Sequence, residues 1–309
     1  MDAAQQAIRP SGHQRLPRIA ITVGDPAGIG PEIAEKAASD PAVRAVCDPV
    51  IFAPPPDDTI RAGEVSAAAG RAAYDTIVRA VDAARRGAVD AIATAPVNKL
   101  AFAQAGLEWK GHTDLLAHLC GNVDVAMMFH SPRLKVVLLT VHVPLGDVPS
   151  LLTPALVDRT VALTVDAMRS FGQPRPRLAL AGLNPHAGEN GVIGTEDDRV
   201  LAPAVARARA RGIDLAGPIP GDTVFVRASR GEFDCVLACY HDQGLIPVKL
   251  LAFGHAVNVS IGLPIVRTSV DHGTAFDIAG KGVADAGSMI AAVTLAAQMA
   301  VAKMQAKVQ

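Results

Sequence analysis

Three histidines follow apolar runs of the kind that form buried β-strands. His142 ends the run LKVVLLTVH, His186 ends RLALAGLNPH, and His241 ends FDCVLACYH. Each histidine lies beside Gly, Pro, Asn, Asp or Glu, which are typical of a loop that forms a site rather than of a packed strand. Because neutral imidazole is the commonest metal ligand in proteins, three of them at one rim of an α/β sheet indicate a divalent-metal site. For any one of them, a satisfied structural histidine is the alternative.

A second group of side chains has the chemistry of an anion site. Lys249, Asn258 and Arg267 extend along one segment, from a loop to the ends of a strand. An ammonium group, an amide and a guanidinium would bind a phosphate or a carboxylate if the fold brings them together; otherwise each is a surface residue. His112 and Thr113 precede a segment of helical character. Thr113 is either the N-cap of that helix or, with His112, a ligand of a substrate oxygen.

Two loops rich in glycine could approach a ligand through their backbones. Residues 24–32, GDPAGIGPE, follow a strand and open a helix, which is the context of a phosphate cradle. The spacing differs from the dinucleotide fingerprint G-x-G-x-x-G, and a tight turn that requires glycine is an equal alternative to ligand contact. Residues 271–282, DHGTAFDIAGKG, are small and polar, which suits a loop around a planar ligand or a diphosphate.

Composition and charge limit the class of protein. The chain has 309 residues, of which half are hydrophobic and 4% aromatic, and its formal net charge is −1. This length predicts two domains, or one domain with a large lobe, and the composition is typical of an α/β protein. Because the net charge is so small, we expect no nucleic-acid partner and no attraction to an acidic membrane.

The cysteines and the N-terminus predict a cytoplasmic protein. Four cysteines form no disulfide framework by their spacing, and we interpret them as small buried residues in a reducing compartment. We find no apolar stretch long and uncharged enough to span a bilayer. Residues 1–17 lack the apolar middle of a signal peptide and predict a disordered tail.

The order of predicted elements indicates the fold class. Strands are predicted at 18–24, 90–96, 124–130, 134–142, 177–184, 233–240 and 256–262, with a short strand near 50–54. Helices are predicted at 31–38, 67–86, 154–171, 195–212 and 286–305. Alternation of strand and helix predicts mostly parallel sheets with helices on both faces and ligands at the carboxyl ends of the strands. We expect a discontinuous two-lobed architecture rather than two consecutive domains.

Several motifs together resemble one known family. HGTAFDIAGKG is similar to the cofactor loop of the isocitrate and isopropylmalate dehydrogenase superfamily. With GDPAGIGPE, GHTD, TVHVPL, GLNPHAGE, YHDQG and GLPIVRTSVDHGTA, the chain resembles the 4-hydroxythreonine-4-phosphate dehydrogenase (PdxA) family from about residue 18 to about residue 300. The resemblance implies a two-lobed α/β/α fold of the isocitrate dehydrogenase type. Its expected lobes are 18–125 plus 265–309 for the cofactor and 126–264 for metal, substrate and dimerisation, with the active site in the cleft between them.

The resemblance also implies roles for particular residues. The expected metal ligands are the three histidines, one of them supplied by the partner subunit of a homodimer. The expected substrate-binding residues, of which the basic ones hold a phosphate, are His112, Thr113, Lys249, Asn258 and Arg267. The residues expected to act on the reacting alcohol are Asp222, Asp242 and Lys249. The residues expected to bind the cofactor are Asp271, His272, Gly273, Thr274, Asp277 and Gly280.

The implied activity is a metal-dependent, NAD- or NADP-linked oxidation and decarboxylation of a phosphorylated 3-hydroxy acid. 4-Phosphohydroxy-L-threonine, an intermediate of pyridoxine phosphate formation, is the first candidate. The expected metal is one Zn, Co, Mn or Mg ion, and NAD is favoured because no basic pocket for a 2′-phosphate stands out. A catalytically inactive protein that binds metal or phosphate is the alternative from another class.

Substrate choice within the family stays open at this stage. His255 and Ala256 stand where biosynthetic members are expected to have Arg-Gly, and IPVKLL and APVNK look more like the branch that acts on 4-phospho-D-threonate or D-erythronate. A third branch oxidises a cis-dihydrodiol of terephthalate. Retention of Lys249, Asn258 and Arg267 favours a phosphorylated substrate.

Overall fold

The chain alternates strands and helices through most of its length. The computed structural model describes residues 15–252 and 254–306, so residues 1–14 of the predicted tail lie outside the described residues. The strands are β1 Arg18–Thr22, β2 Asp48–Phe52, β3 Ala91–Thr94, β4 Ala126–His130, β5 Lys135–Leu138, β6 Leu178–Ala181, β7 Leu215–Ile219, β8 Cys235–Ala238, β9 Val257–Ile261 and β10 Val266–Ser269. The helices are α1 Gly30–Ser39, α2 Pro41–Arg44, α3 Ala67–Arg85, α4 Lys99–Gln104, α5 His112–Leu119, α6 Val148–Leu151, α7 Pro154–Ser170, α8 Ala202–Ala210, α9 Gly221–Ser229, α10 His241–Ala252 and α11 Gly287–Ala306.

The chain divides into two compact units. Unit 1 contains the described residues up to Val125 and those from Val257 onward, and unit 2 is Ala126–Ala256. The second boundary therefore lies before β9 instead of at 264/265 as expected. The reason is that β9 pairs antiparallel with β10, which places both strands in the same unit.

The strands of unit 1 lie in the order β2-β1-β3-β10-β9. All are parallel except β9, which runs antiparallel to β10. Every residue of β3 and β10 is buried, as in strands that are covered on both faces. As a result, the carboxyl ends of β1, β3 and β10 and the amino end of β9 lie along one edge of this sheet.

Helices cover both faces of the unit 1 sheet. On one face, Ala20 of β1 and Ile92 of β3 belong to a core cluster with Ile77 of α3 and Leu115 of α5. On the other face, α11 packs against β3 and β10, and its Ala292 carbonyl accepts a hydrogen bond from Thr268 Oγ1 over 2.8 Å. The arrangement confirms the predicted α/β class with mostly parallel strands.

The strands of unit 2 lie in the order β4-β5-β8-β6-β7. β4 and β5 form an antiparallel pair, whereas β5, β8, β6 and β7 are parallel neighbours. Helices α9 and α10 pack on the face that carries Val136 and Ala238. The carboxyl ends of β5, β8 and β6 therefore lie side by side, and each of these strands precedes one of the three histidines.

Some helices and strands were not predicted, because their sequences contain helix breakers or a charged residue that interrupts the apolar pattern. The elements not predicted are α2, α4, α6, α9, α10, β7 and β10. Helix α10 contains Gly244 and Pro247. A Cβ on Gly244 would lie 2.7 Å from a Leu138 methyl, so close packing on β5 requires glycine there. Lys249 accordingly lies on a helix rather than in a loop, and Arg267 lies inside β10 rather than at the end of a strand.

Helix α11 corrects one interpretation of the sequence. By length and composition it could cross a membrane, although we found no such stretch in the sequence. More than half of its most apolar window is buried, and it packs against β3, β10, β1 and β9. This is the environment of a core helix, which passes the same test of length and hydropathy.

Candidate functional site

Two of the three histidines lie together at one edge of the unit 2 sheet. The ring centroids of His142 and His241 are 5.4 Å apart, and both residues line a cavity of about 240 Å³. His142 follows β5 with φ +52°, and His241 begins α10 directly after β8. A non-glycine residue with positive φ is strained, and such strain is concentrated at functional sites.

His186 lies elsewhere in unit 2 and is exposed. It follows β6 in a short 3-10 segment and has φ +54°. Among the described residues, no three His, Cys, Asp or Glu side chains within the chain come together as a metal-binding set. The structure thus brings two of the three predicted ligands together and leaves the third apart from them.

Carboxylates orient two of the imidazoles. Nδ1 of His241 lies 2.6 Å from Oδ1 of Asp242, and Nδ1 of His186 lies 3.3 Å from Oε2 of Glu189. A carboxylate on Nδ1 favours the tautomer with the proton there, so Nε2 keeps its lone pair. This is how metal-binding histidines are usually supported, and the donor set therefore fits a divalent cation.

A buried carboxylate shapes the loop that carries His186. Asp197 is fully buried and accepts hydrogen bonds from the backbone N–H groups of Leu183 and Asn184, at 2.9 and 3.1 Å. It also accepts one from the Asn184 side-chain amide at 2.9 Å. These three bonds tie the loop after β6 to the following helical turn. The sequence offers no signal for this role, because Asp197 stands in the charged run TEDDR.

Gln243 joins the ends of two strands that precede histidines. Its side-chain oxygen accepts from the Cys239 N–H at 2.7 Å, and its amide donates to the Gly182 carbonyl at 2.7 Å. Gly221, at the start of α9, lies against the same side chain. Asp222 is the next residue, and it and Lys249 are both exposed.

In unit 1, Arg267 is a buried cation with neutral partners. It is 2% exposed, and its guanidinium donates to Ser260 Oγ at 2.9 Å and to Thr94 Oγ1 at 2.7 Å. No carboxylate in the described part of the chain pairs with it. Burial lowers the pKa of Arg267 to about 9, which leaves it charged at neutral pH. A buried charge of this kind is costly unless an anion completes the site.

Other polar groups of unit 1 also lack partners. His112 Nε2, Asn258 Oδ1 and Arg267 Nε are buried atoms without a hydrogen bond. Burial, followed by the nearby charge of Arg267, holds the pKa of His112 well below its usual range. His112 begins α5 with Gly111 at the N-cap, so the interpretation of Thr113 as N-cap is wrong. Buried atoms that lack partners mark a place where a polar ligand would be bound.

The loop of residues 271–280 is held by the first glycine-rich loop. The Ile29 N–H donates to the Thr274 carbonyl at 3.0 Å, and a Cβ on Gly28 would lie 2.8 Å from that carbonyl oxygen. Glu32 accepts from the Ala284 N–H at 2.8 Å, beyond the end of the loop. Gly28 therefore serves the close packing of the two loops, and Gly24 and Gly30 pack closely on the backbones of Pro96 and Val23, as in the tight-turn alternative.

The predicted cofactor residues form a mostly exposed backbone run after β10. His272, Gly273, Asp277 and Gly280 are exposed, and Asp271 and Thr274 are half-buried. Nδ1 of His272 lies 3.0 Å from the Gly273 carbonyl. Ala275 has φ +43°. A run this rich in accessible backbone groups can follow the outline of a flat ligand.

The arrangement of the sheets and their flanking helices indicates the structural class of the protein. A β-decarboxylating dehydrogenase from Thermococcus kodakarensis has a similar structure, with a TM-score of 0.50 at 16% identity over 90% of this chain and 82% of the other. This likeness concerns the fold alone and confirms the expected isocitrate dehydrogenase-like class.

The family then follows from closer similarities. The profile described as "Pyridoxal phosphate biosynthetic protein PdxA" matches residues 22–296, and the chain belongs to this family. It is 47% identical to a 4-hydroxythreonine-4-phosphate dehydrogenase from Paracoccus denitrificans, over 91% of this chain and 97% of the relative. It is 42% identical to a D-threonate 4-phosphate dehydrogenase from Cupriavidus necator, over 92% and 98%.

A solved structure agrees with these relatives. The crystal structure of a 4-hydroxythreonine-4-phosphate dehydrogenase from Klebsiella pneumoniae has a TM-score of 0.85 at 41% identity, and the match covers 93% of this chain and 99% of the other. All three of these similar proteins are named as dehydrogenases. The chain is therefore an oxidoreductase.

Proposed function

We propose that the chain is a metal-dependent, nicotinamide-linked dehydrogenase that oxidises and decarboxylates a phosphorylated 3-hydroxy acid. 4-Phosphohydroxy-L-threonine, in the formation of pyridoxine phosphate, is the leading substrate. One observation carries the proposal: the buried guanidinium of Arg267 has hydroxyl partners and, among the described residues, no carboxylate partner. A phosphate supplies the missing negative charge, and a phosphorylated substrate supplies the phosphate.

The other anion-binding assignments extend from Arg267. His112 contributes a buried ring nitrogen that lacks a partner, and Thr113 follows it in the first turn of α5. Asn258 is assigned through the N–H donors of its side-chain amide, since its buried Oδ1 can only accept a hydrogen bond. Lys249, exposed on α10, is assigned to the substrate phosphate as a point charge. Names of relatives support this chemistry, since the Paracoccus denitrificans and Cupriavidus necator proteins are both named for phosphorylated hydroxy acids.

His142, His186 and His241 are the proposed ligands of the metal. A divalent cation held there would supply Lewis-acid chemistry, which would lower the pKa of the substrate hydroxyl and stabilise negative charge on oxygen. Asp242 keeps the proton on Nδ1 of His241 and so presents Nε2. Asp222, in the first turn of α9, is assigned to the proton of the reacting alcohol, with Lys249 as a second proton-handling group.

The loop of residues 271–280 is the proposed nicotinamide site. Its backbone would bind and orient the cofactor, which would supply the hydride acceptor for the oxidation. The assigned residues are Asp271, His272, Gly273, Thr274, Asp277 and Gly280. NAD is preferred to NADP in this proposal, and the protein is placed in the cytoplasm without a nucleic-acid or membrane partner.

A homodimer with a shared metal site explains the separation of His186 from the other histidines. Large apolar side chains stay exposed on the segments that follow the three histidines, with Leu250 84% and Val192 80% exposed. The exposed apolar residues on these segments are Val143, Leu145, Val192, Ile193, Ile246 and Leu250. Apolar surface of this extent favours contact with another subunit, and a second copy would also supply the missing ligand.

A second substrate, D-threonate 4-phosphate, is favoured by one local feature. His255 and Ala256 stand where Arg-Gly was expected for the biosynthetic branch, and Ala256 is fully buried next to β9. The Cupriavidus necator relative is named for this substrate. The remaining alternative substrates are D-erythronate 4-phosphate and a cis-dihydrodiol of terephthalate.

A substrate panel tests the proposal. The four candidate acids are offered with NAD or NADP in the presence of Zn, Mn, Co or Mg, and kcat/KM for NADH or NADPH formation is compared. We expect the highest value for 4-phosphohydroxy-L-threonine with NAD. If none of the acids yields reduced cofactor with any of the metals, the proposal fails and the alternative of an inactive protein that binds metal or phosphate is favoured.

A further inference from the structure

A row of polar side chains crosses unit 1 beside Arg267. The strand register places four residues next to one another: Thr22, Thr94, Ser269 and Asn258. Registered neighbours point to the same face of a sheet, and residues two positions away along a strand share that face. The adjacent row on this face is Ala20, Ile92 and Arg267. On β1 and β3 this row is apolar, and Arg267 is its charged member.

Two hydroxyl groups determine how the guanidinium lies. Thr94 Oγ1 accepts from Nη2 at 2.7 Å, and Ser260 Oγ accepts from Nη1 at 2.9 Å. The Thr94 hydroxyl also lies 3.5 Å from the Thr268 carbonyl, to which it can donate, so its lone pairs face Arg267. Both hydroxyl residues are buried, on β3 and β9, and they hold the planar group from two different strands.

Neutral acceptors have a consequence that carboxylates would not have. An aspartate or glutamate at either position would pair with the guanidinium and cancel its charge. Hydroxyl groups fix the orientation of the planar fork but leave its positive charge unneutralised. Nε of Arg267, which is buried without a hydrogen bond, also stays available.

We propose that Thr94 and Ser260 are positioning residues that hold the guanidinium of Arg267 for the phosphate group of the substrate. The role rests on the proposed function, because it presumes that Arg267 binds phosphate. The two hydroxyl groups leave this part of unit 1 in need of an anion, since only a ligand with negative charge neutralises the buried cation.

Phosphate affinity separates this role from ordinary structural hydrogen bonding. The probe is inorganic phosphate, titrated by calorimetry at constant ionic strength into the full chain and its Thr94→Val and Ser260→Ala variants. We expect each substitution to raise the Kd of phosphate about tenfold, the equivalent of about 1.4 kcal/mol. Thr94→Ser, which keeps the hydroxyl, should bind phosphate within about twofold of the unmodified protein.

Thr268→Val is the matched control. Thr268 is buried on β10 and its hydroxyl donates to the Ala292 carbonyl on the opposite face, so the substitution also removes one buried hydrogen bond. It should lower the Tm and leave the Kd of phosphate unchanged. If Thr94→Val does not fold, Ser260→Ala and Thr94→Ser carry the test.

The possible results distinguish the inference from the proposed function. Unchanged phosphate affinity in Thr94→Val and Ser260→Ala, while Arg267→Met loses phosphate binding, overturns the positioning role and leaves the phosphate site in place. If the unmodified protein does not bind phosphate, or Arg267→Met binds it equally well, the proposed phosphate site fails and the positioning role fails with it.

Discussion

The imidazole rings of His142 and His241 lie with their centroids 5.4 Å apart at the edge of the unit 2 sheet. Each follows a different strand, and the two strands, β5 and β8, are parallel neighbours. His186 does not complete a metal-binding set with them among the described residues. In the proposed site, a second chain would supply the third histidine.

Mixing variants tests whether the metal site is shared. His142→Ala and His186→Ala should each be inactive, but mixed dimers of the two contain one site with all three histidines intact. We expect activity to return to about one quarter of the original after random re-pairing, because half of the dimers are mixed and each has one of two sites. NADH formation after mixing, dilution and reassembly is the measurement.

The matched control is a mixture of His142→Ala with His241→Ala. These two histidines belong to the same chain in the proposed arrangement, so no re-pairing restores a complete site. Recovery in this control, or its absence in the first mixture, contradicts a site that takes His186 from the partner.

Asp197→Asn should weaken metal binding, although Asp197 is not one of the proposed metal ligands. The substitution removes the charge that accepts three hydrogen bonds from the loop before His186. We expect metal affinity to fall about 10- to 100-fold, as for other residues that support metal ligands, and the Tm to fall as well. Titration with Zn or Mn measures the affinity. Asp198→Asn, at the exposed neighbouring position, should change neither quantity, and equal effects at both positions would refute the role of Asp197.

Gly28→Ala should impair the cofactor site selectively. The new Cβ would lie 2.8 Å from the Thr274 carbonyl oxygen and displace the loop of residues 271–280. We expect the Kd of NAD to rise about tenfold or more while the Kd of inorganic phosphate stays the same. Gly146→Ala, where a Cβ meets open space, is the control. A normal Kd of NAD in Gly28→Ala would mean that the loop does not bind the cofactor.

His130 should make the protein less stable in mild acid. Burial lowers the pKa of His130 from 6.5 to about 3. In mild acid, the unfolded chain therefore binds a proton at His130 that the folded chain does not bind. Its stabilising contribution is complete above the unfolded pKa and is lost as the pH falls from about 6.5 toward 3.

His130→Phe, which can keep the stacking on Phe171, should remove this dependence. Relative to the unmodified protein, we expect it to retain roughly 1 to 2 kcal/mol more of its stability on going from about pH 7.5 to about pH 5. Urea unfolding at the two pH values measures the change, and replacement of the exposed His118 by Gln is the control. Identical pH slopes for His130→Phe and the unmodified protein would refute a His130 that stays neutral in the folded protein.

Apolar runs made much of the fold predictable. The runs before the three histidines form β5, β6 and β8, and the periodic segments at 67–86 and 154–171 form α3 and α7. Ser66 and Thr153 cap those two helices, and the helices begin at the predicted residues, Ala67 and Pro154.

The supporting residues of the site could not be predicted, because tertiary contacts define them. Thr94 and Ser260 meet Arg267 only through the register of β3, β10 and β9, which are far apart in sequence. Asp197 has the local sequence of a solvent-facing residue but is fully buried. Helix α10 was not predicted because Gly244 and Pro247 are helix breakers, although close packing on β5 makes glycine favourable at position 244.

In the proposed reaction, the chain oxidises a phosphorylated hydroxy acid at a metal site. The most direct measurement is NADH formation from 4-phosphohydroxy-L-threonine and from its unphosphorylated counterpart, by protein stripped with a chelator and by protein reloaded with Zn or Mn. We predict NADH only from the phosphorylated acid and only after reloading. Equal rates with both acids, or full activity in the stripped protein, would contradict the account.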